Sequence, residues 1–114
     1  MIYAKFTYDE RLKQVRMELR GHANAAPRGE DLVCAGVSAL AMTAGKAARL
    51  MYNKRMLRRR PKVVLDCGNA VVIATANQGC EAEVLMAFWT VEAGIYSLAQ
   101  KFPEHLVLEQ VLRV

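Results

Sequence analysis

Two consecutive runs of alternating apolar and polar residues open the chain and restrict its fold more than any other feature. Residues 2–8 read IYAKFTY and residues 14–19 read QVRMEL, so apolar side chains recur at every second position. Successive side chains of a strand point to opposite faces, and the pattern therefore predicts two strands, each with one buried face. The intervening DERLK predicts a turn.

Two helices are predicted after this pair. The segment from Asp31 to about Asn53 contains no proline, and its apolar residues recur at three- and four-residue steps. A second helix is predicted over residues 81–101, with Pro103 ending it. Five of its side chains are available for packing: Leu85, Phe88, Trp89, Tyr96 and Ala99.

Three further strands complete the pattern. PKVVLD and AVVIATA flank the turn sequence CGN and predict a hairpin, and HLVLEQVLRV predicts a closing strand. The order ββαββαβ predicts an α+β fold, a two-layer sandwich in which two helices cover one face of a mixed five-stranded sheet. Because 114 residues is the size of one ordinary domain, we expect residues 1–114 to form a single domain.

The first helix is rich in small residues, which allow close packing on more than one side. The residues are Ala35, Gly36, Ser38, Ala39, Ala41, Ala44, Gly45, Ala47 and Ala48. Two neighbours fit this pattern, the second helix and a partner subunit, and the sequence does not choose between them. A homodimer is one expectation that follows.

Composition narrows the class of protein. Hydrophobic residues make up 54% and charged residues 24% of the chain, which is typical of a globular protein. No run approaches the ~18 uncharged apolar residues of a membrane span, and the N-terminal segment carries charges, so we expect a cytoplasmic protein with no membrane contact. Three cysteines without a C-x-x-C pair predict free thiols, with no metal and no cofactor.

The positive charge is concentrated in one segment. KRMLRRRPK, residues 54–62, holds six of the sixteen lysines and arginines of a chain with a formal net charge of +5. One interpretation is a solvated helix end and loop. The other is a contact surface for nucleic acid, a ribosome or an acidic partner. No aromatic residue is interleaved with the cations to stack on bases.

The segment GHANAAPRGEDLVCAGVSAL, residues 21–40, carries the candidate chemistry. The second strand ends near His22, and Cys34 lies close to the predicted start of the first helix. If Asp31 is the N-cap, Cys34 is the third helical residue, where the helix dipole favours a thiolate by up to about 2 kcal/mol. The carboxylate of Asp31 opposes this, so a cation is needed, and His22 is able to supply it and then act as a base.

A loop of small residues connects the histidine to the helix. Its members are Ala23, Asn24, Ala25, Ala26, Pro27, Arg28 and Gly29. Its lack of bulk predicts room for a large apolar residue of a substrate when the loop opens. Glu30 and Asp31 carry the carboxylates that directly follow this loop in sequence. Ser38 lies one turn beyond Cys34 on the same helix face, within reach of the site.

Other readings of these residues are structural. A lone cysteine near a helix start is most often a small buried hydrophobe. Cys80 and His105 are separated by the whole second helix, roughly 30 Å, and Cys67 has no basic neighbour in sequence. We therefore interpret Cys67, Cys80 and His105 as structural.

The same segment resembles the signature of the ribosomal-processing cysteine protease family, Prp, which reads G-H-A, a variable loop, and G-x-D-[IL]-V-C-A-x-[VA]-S. The matching residues are Gly21, His22, Ala23, Gly29, Asp31, Leu32, Val33, Cys34, Ala35, Val37 and Ser38. The likeness extends over the whole chain in length and element order. Asn24 departs from the glycine that many members have, and Pro27 is expected to stiffen the loop.

The resemblance implies a specific activity. Prp-like proteases are homodimers that remove an N-terminal extension from a large-subunit ribosomal protein, cutting after an apolar, Phe-containing stretch and before a small residue and a basic run. Cys34 would be the nucleophile and His22 the base, supported by Gly21, Asp31, Ala35 and Ser38. The substrate would be the N-terminal peptide of the ribosomal protein, and a transient ribosome contact is compatible with this.

Two alternatives remain at the level of sequence. One is a non-catalytic, ribosome-associated module that binds RNA or protein through residues 54–62. The other is a thiol enzyme of redox type, although no second cysteine lies near Cys34 in sequence to resolve a mixed disulfide.

Overall fold

The computed structural model describes residues 1–22, 28–66 and 68–114. Within these ranges the strands are β1 (Ile2–Asp9), β2 (Gln14–Arg20), β3 (Lys62–Asp66), β4 (Asn69–Thr75) and β5 (Leu106–Arg113), and the helices are α1 (Arg28–Asn53) and α2 (Glu81–Lys101). The predicted order ββαββαβ is confirmed.

The five strands form one mixed sheet in the order β3-β4-β2-β1-β5. β2 pairs antiparallel with both β1 and β4, while β5 pairs parallel with β1 at the edge of the sheet. In the turn between β1 and β2, the Asp9 carboxylate accepts hydrogen bonds from the backbone N–H groups of Arg11 and Leu12 at 3.0 and 3.1 Å. The pairing of β2 with β4 places β4 beside the strand that leads to His22.

The core lies between one face of the sheet and the two helices. Phe6, Met17 and Val72, from three adjacent strands, are completely buried on this face. The alternate residues of the same strands, such as Lys5 and Glu18, lie on the opposite face. The two-layer α+β architecture predicted from the sequence is therefore confirmed.

Glycines allow close packing of α1 against its neighbours. A Cβ at Gly94 of α2 would lie 2.7 Å from Leu40, and a Cβ at Gly36 of α1 would lie 2.9 Å from Leu98. On another side of α1, a Cβ at Gly45 would meet Val63 of β3 at 3.0 Å. Gly36 and Gly45 are thus accounted for by packing within the chain, against the second helix and the β3–β4 hairpin.

Two expectations about the helices are wrong in detail. Helix α1 begins at Arg28, three residues before the expected N-cap Asp31. Trp89 and Tyr96 are 44% and 53% exposed, because α2 turns Val84, Phe88, Val91 and Ile95 toward the sheet instead. Apolar residues occur on several sides of α2, and the sequence pattern therefore left its buried face ambiguous.

Membrane insertion by a helix finds no support in the described residues. No helix there has both the length and the hydropathy to span a bilayer.

Candidate active site

A groove of about 510 Å³ lies between α1 and the adjoining ends of β2, β3 and β4. The groove is lined by Ile2, Leu19, Gly21, His22, Cys34, Val37, Ser38, Ala41, Met42, Leu65, Asp66, Gly68, Asn69 and Ala70. Most of these side chains are apolar. The groove thus combines an apolar wall with one thiol, one imidazole and one carboxylate.

Four of the predicted catalytic and supporting residues line this groove: Gly21, His22, Cys34 and Ser38. Ala35 is exposed and is not among the lining residues. Asp31 belongs to α1, but its side chain lies outside what the structure describes. The tertiary structure therefore brings the thiol and the imidazole to one groove from different elements.

His22 is placed by the end of β2 and by the turn between β3 and β4. The N–H of Gly21 donates to the carbonyl of Gly68 at 3.1 Å. The carbonyl of His22 accepts a hydrogen bond from the amino group of Met1 at 3.2 Å. The imidazole itself lies against Gly68, where its atoms occupy the space that a Cβ would fill.

Cys34 is a free, half-buried thiol that packs against the core from α1. Because the helix begins at Arg28, Cys34 is its seventh residue and not its third. The dipole of a helix acts mainly within the first turn, so it favours a thiolate less than the sequence led us to expect. A cationic partner is correspondingly more important at this thiol.

The structure assigns two residues of the expected loop to a helix. Arg28 and Gly29 belong to α1, so these two residues are not part of a loop. Nothing after Pro27 prevents the helix from starting there, and proline is well tolerated at a helix start. The remaining loop residues, Ala23, Asn24, Ala25, Ala26 and Pro27, lie outside the described residues.

The other thiol and histidine of the described residues lie apart from each other. Cys80 immediately precedes α2, and its side chain makes no capping hydrogen bond. His105 follows the same 21-residue helix, at the start of β5. A helix of this length spans about 30 Å, which separates the two as the sequence predicted. Cys67 lies outside the described residues.

Sequence analysis missed the contribution of the β3–β4 hairpin. Leu65, Asp66, Gly68 and Asn69 line the groove opposite α1, and Met42 extends its apolar wall. The turn CGN was recognised as a turn, but its position beside His22 depends on the pairing of β4 with β2. No local sequence signal encodes that pairing.

In residues 1–22, 28–66 and 68–114, no cluster of three or more His, Cys, Asp or Glu side chains is arranged to hold a metal ion.

A free thiol and an imidazole in an apolar groove are the reacting groups of a cysteine hydrolase. The sequence matches the family model described as "Cysteine protease Prp" over residues 1–107. The chain belongs to the Prp family of cysteine proteases. No curated protein matches the sequence.

Solved structures have the same fold. A Streptococcus mutans protein superposes with a TM-score of 0.72 at 25% identity, covering 99% of this chain and 96% of that protein. The ribosomal processing protease Prp from S. aureus, in complex with a substrate peptide, has a TM-score of 0.70 at 19% identity, with coverage of 96% and 99%. A second structure of that protease, with a covalently linked product peptide, gives 0.70 at 20% identity and the same coverage.

Proposed function

We propose that this cysteine protease removes the N-terminal extension of a large-subunit ribosomal protein, with Cys34 as the nucleophile and His22 as the general base. The observation that carries the proposal is the shared groove, which Cys34 lines from α1 and His22 lines from the end of β2. The likeness to a S. aureus protease described as processing ribosomal protein supports the choice of substrate. Ribosomal proteins are cytoplasmic, and we place the enzyme in the same compartment.

The reaction proceeds in two steps that need only these two groups and water. His22 takes the proton of the Cys34 thiol, and the thiolate attacks the scissile carbonyl. The imidazolium then gives its proton to the leaving amine, which leaves an acyl-enzyme. Water, deprotonated by His22, attacks the thioester and releases the acid product and the free thiol.

Ser38 and Asp31 are proposed as supporting residues. Ser38 is exposed at the groove one turn beyond Cys34, where its hydroxyl is available to a bound peptide. The backbone N–H groups that lack helical partners belong to the first turn of α1, which begins at Arg28. A helix-start oxyanion site would therefore lie a turn before Cys34, near Asp31, and not at the Cys34 N–H.

The groove favours a substrate with an apolar side chain beside the cleaved bond. Val37, Ala41, Met42 and Leu65 form an apolar wall next to Cys34. Burial of a Phe side chain stabilises binding by roughly 1.5 to 3 kcal/mol. Asp66 is exposed in the same groove and is a further candidate partner for a basic residue of the substrate. The side chains of Glu30 and Asp31, the candidates from the sequence, lie outside what the structure describes.

A synthetic peptide that carries the sequence of the ribosomal extension tests the chemistry and the specificity together. We expect Cys34→Ala to abolish cleavage and His22→Ala to lower kcat/KM by at least a hundredfold, since general base catalysis contributes about 10² to 10⁴. Cys80→Ala is the matched control and should leave the rate unchanged. Cleavage that survives Cys34→Ala but is lost in Cys80→Ala would refute the assignment of the nucleophile.

The specificity is tested with two altered peptides. Replacing the Phe of the peptide with Ala should lower kcat/KM by about tenfold or more, since each 1.4 kcal/mol is a factor of ten in rate. Replacing its downstream lysines should have a smaller effect that shrinks further as salt is raised. If only the lysine-free peptide resisted cleavage, charge and not the apolar wall would govern recognition.

We also propose that the enzyme is a homodimer that associates through the outer face of its two helices, the helical face. This face carries ten exposed, uncharged residues: Leu32, Ala35, Ala39, Met42 and Thr43 of α1, and Ala82, Met86, Thr90, Ala93 and Ser97 of α2. The hydroxyls of Thr43, Thr90 and Ser97 all donate to carbonyls of their own helix. Such a face presents little polar surface for water to bind.

A second candidate function is binding of RNA by the basic segment, residues 54–62. The stretch 32–65 contains eight of the sixteen lysines and arginines and no carboxylate. Arg58, Arg59 and Arg60 are exposed, and none of the three forms a salt bridge within the described residues. A dense array of unneutralised cations fits a polyanion such as ribosomal RNA.

Salt dependence distinguishes this function from proteolysis. The triple variant Arg58→Gln, Arg59→Gln, Arg60→Gln should weaken RNA binding. It should also make the negative slope of log K against log salt shallower by about two to three. Substituting Lys5, Arg20 and Arg113 with Gln removes the same charge elsewhere and is the control. Cys34→Ala should bind RNA as the unmodified chain does. Equal losses in the two triple variants would show that only net charge matters.

A further inference from the structure

Two separate observations explain why the turn between β3 and β4 has a glycine at position 68. Gly68 has a φ of +76°, a conformation that side chains rarely adopt. In addition, a Cβ at Gly68 would collide with Cε1 and Nε2 of His22 and lie 3.0 Å from its Nδ1. The imidazole thus rests directly on the Gly68 backbone.

Contacts between the ends of β2 and β4 hold the backbone near Gly68 and the backbone before His22 together. Gly21, the residue before His22, donates its N–H to the carbonyl of Gly68 at 3.1 Å. Beside this bond, Arg20 of β2 pairs with Asn69 of β4 in the sheet. Gly68 therefore keeps a fixed position relative to the backbone of His22, and the imidazole ring packs against the Gly68 backbone.

We infer that Gly68 is a positioning residue for the proteolytic reaction, one that holds the imidazole of His22 where it serves Cys34. The inference rests on the proposed function, in which His22 is the base. His22 is exposed, so a methyl group at position 68 would displace its ring toward solvent and would not need to unfold the chain. The displaced ring would no longer accept the proton of Cys34.

Gly79 provides a matched control. It lies in the turn before α2 with a φ of +88°, and a Cβ there would meet no atom within 4 Å. Alanine at either glycine therefore imposes a similar backbone strain. Only alanine at position 68 also meets an imidazole, so the difference between Gly68→Ala and Gly79→Ala isolates that contact.

The experiment compares Gly68→Ala, Gly79→Ala, His22→Ala and the double variant Gly68→Ala with His22→Ala. We expect the two glycine variants to lose similar amounts of thermal stability. Of the two glycine variants, only Gly68→Ala should lower kcat for the ribosomal peptide by tenfold or more, with KM little changed. The rate of Cys34 alkylation in Gly68→Ala should fall toward that of His22→Ala. In the His22→Ala background, Gly68→Ala should have no further effect.

Two outcomes would overturn the inference. One is a kcat for Gly68→Ala equal to that of Gly79→Ala. The other is an equal loss of cleavage from Gly68→Ala with and without His22. If His22→Ala itself cleaved normally, the proposed base would be wrong, which is a different result from either of these.

An NMR measurement on the unmodified chain tests the contact without relying on activity or on the folding of a variant. The α protons of Gly68 should show nuclear Overhauser effects to the ring protons of His22. The chain has two histidines, and His105→Gln assigns their signals. Absence of these effects in the folded enzyme would refute the contact on which the inference depends.

Discussion

At the scale of single residues, the structure turns two similar cysteines into a useful comparison. Cys34 and Cys80 are both free and both half-buried, so exposure alone does not favour one over the other. Cys34 shares a groove with His22, whereas Cys80 lies at the N-terminus of α2 without that partner. Comparing the two cysteines with and without His22 therefore isolates the contribution of the imidazole.

We predict that iodoacetamide at near-neutral pH labels Cys34 before Cys80 and Cys67. A thiolate is the reactive form, and a neighbouring imidazolium stabilises it. His22→Ala should slow the labelling of Cys34 and leave that of Cys80 unchanged. Mass spectrometry of the labelled peptides measures both. Faster labelling of Cys80 would place the activated thiol at α2 and refute the assignment to Cys34.

A buried polar group in the core gives a prediction about pH. The Tyr8 hydroxyl donates to the Glu92 carboxylate at 2.6 Å, and Gln110 donates to the same oxygen at 3.2 Å. Burial raises the pKa of Tyr8 above its usual value, and the hydrogen bond to Glu92 and the charge of Glu92 raise it further. The folded protein therefore holds this proton more tightly than the unfolded chain does.

The stability that this proton contributes is fully present below about pH 10, where tyrosine of the unfolded chain is also protonated. Above that pH we expect the free energy of unfolding to fall by up to about 1.4 kcal/mol per pH unit from this group. Tyr8→Phe should remove that component and destabilise the protein near pH 7 by about 1 to 3 kcal/mol, since Glu92 loses a donor. Urea unfolding from pH 7 to 11 measures both effects. Parallel curves for the two proteins would contradict the assignment.

At the scale of elements, the contact between α1 and α2 depends on the fit of Leu40 against Gly94. Glycine inside a helix is normally unfavourable by about 1 kcal/mol relative to alanine. Here an added methyl group would lie 2.7 Å from a Leu40 methyl. Overpacking of this kind costs about 1 to 3 kcal/mol, which equals or exceeds the gain in helix propensity.

We predict that Gly94→Ala destabilises the chain by up to about 2 kcal/mol. In the Leu40→Ala background the overlap disappears, and the same substitution should become stabilising by up to about 1 kcal/mol. Urea unfolding of the four proteins completes the cycle. A stabilising effect of Gly94→Ala with Leu40 present would show that the two helices adjust to the added methyl group at little cost, and would contradict the prediction.

At the scale of the whole molecule, the proposed homodimer requires a surface that a second copy covers. Gly36 and Gly45 of α1 face α2 and β3, so these two members of the small-residue set do not argue for a dimer. The argument now rests on the uncharged helical face. The opposite face of the sheet carries charged residues such as Lys5 and Glu18 and is a poorer candidate for self-association.

We predict that sedimentation at micromolar concentration gives about twice the chain mass of 12.7 kDa. Ala93→Arg, in the middle of the helical face, should shift the protein to a monomer. Lys5→Glu, on the open face of the sheet, is the control and should remain dimeric. A monomer for the unmodified chain would reject the dimer, and a dimer that survives Ala93→Arg would move the interface elsewhere.

The sequence by itself determined the elements and their order. The period-two and period-3.6 spacing of apolar residues is a local property, so β1, β2 and both helices can be predicted without tertiary information. Cys34 and His22 were also found from the sequence, because they fall on a linear motif within one segment. The start of α1 was not, since residues 28–30 carry no signal that forbids or requires a helix.

Only the tertiary structure decided what surrounds these residues. Strand pairing is a long-range property, and the place of β4 beside β2 is what brings Gly68 against His22 and Asp66 into the groove. The buried face of α2 was settled in the same way, because apolar residues occur on several of its sides and the sheet selects one. A chain with these local patterns admits several strand orders, and the packing of the whole core selects among them.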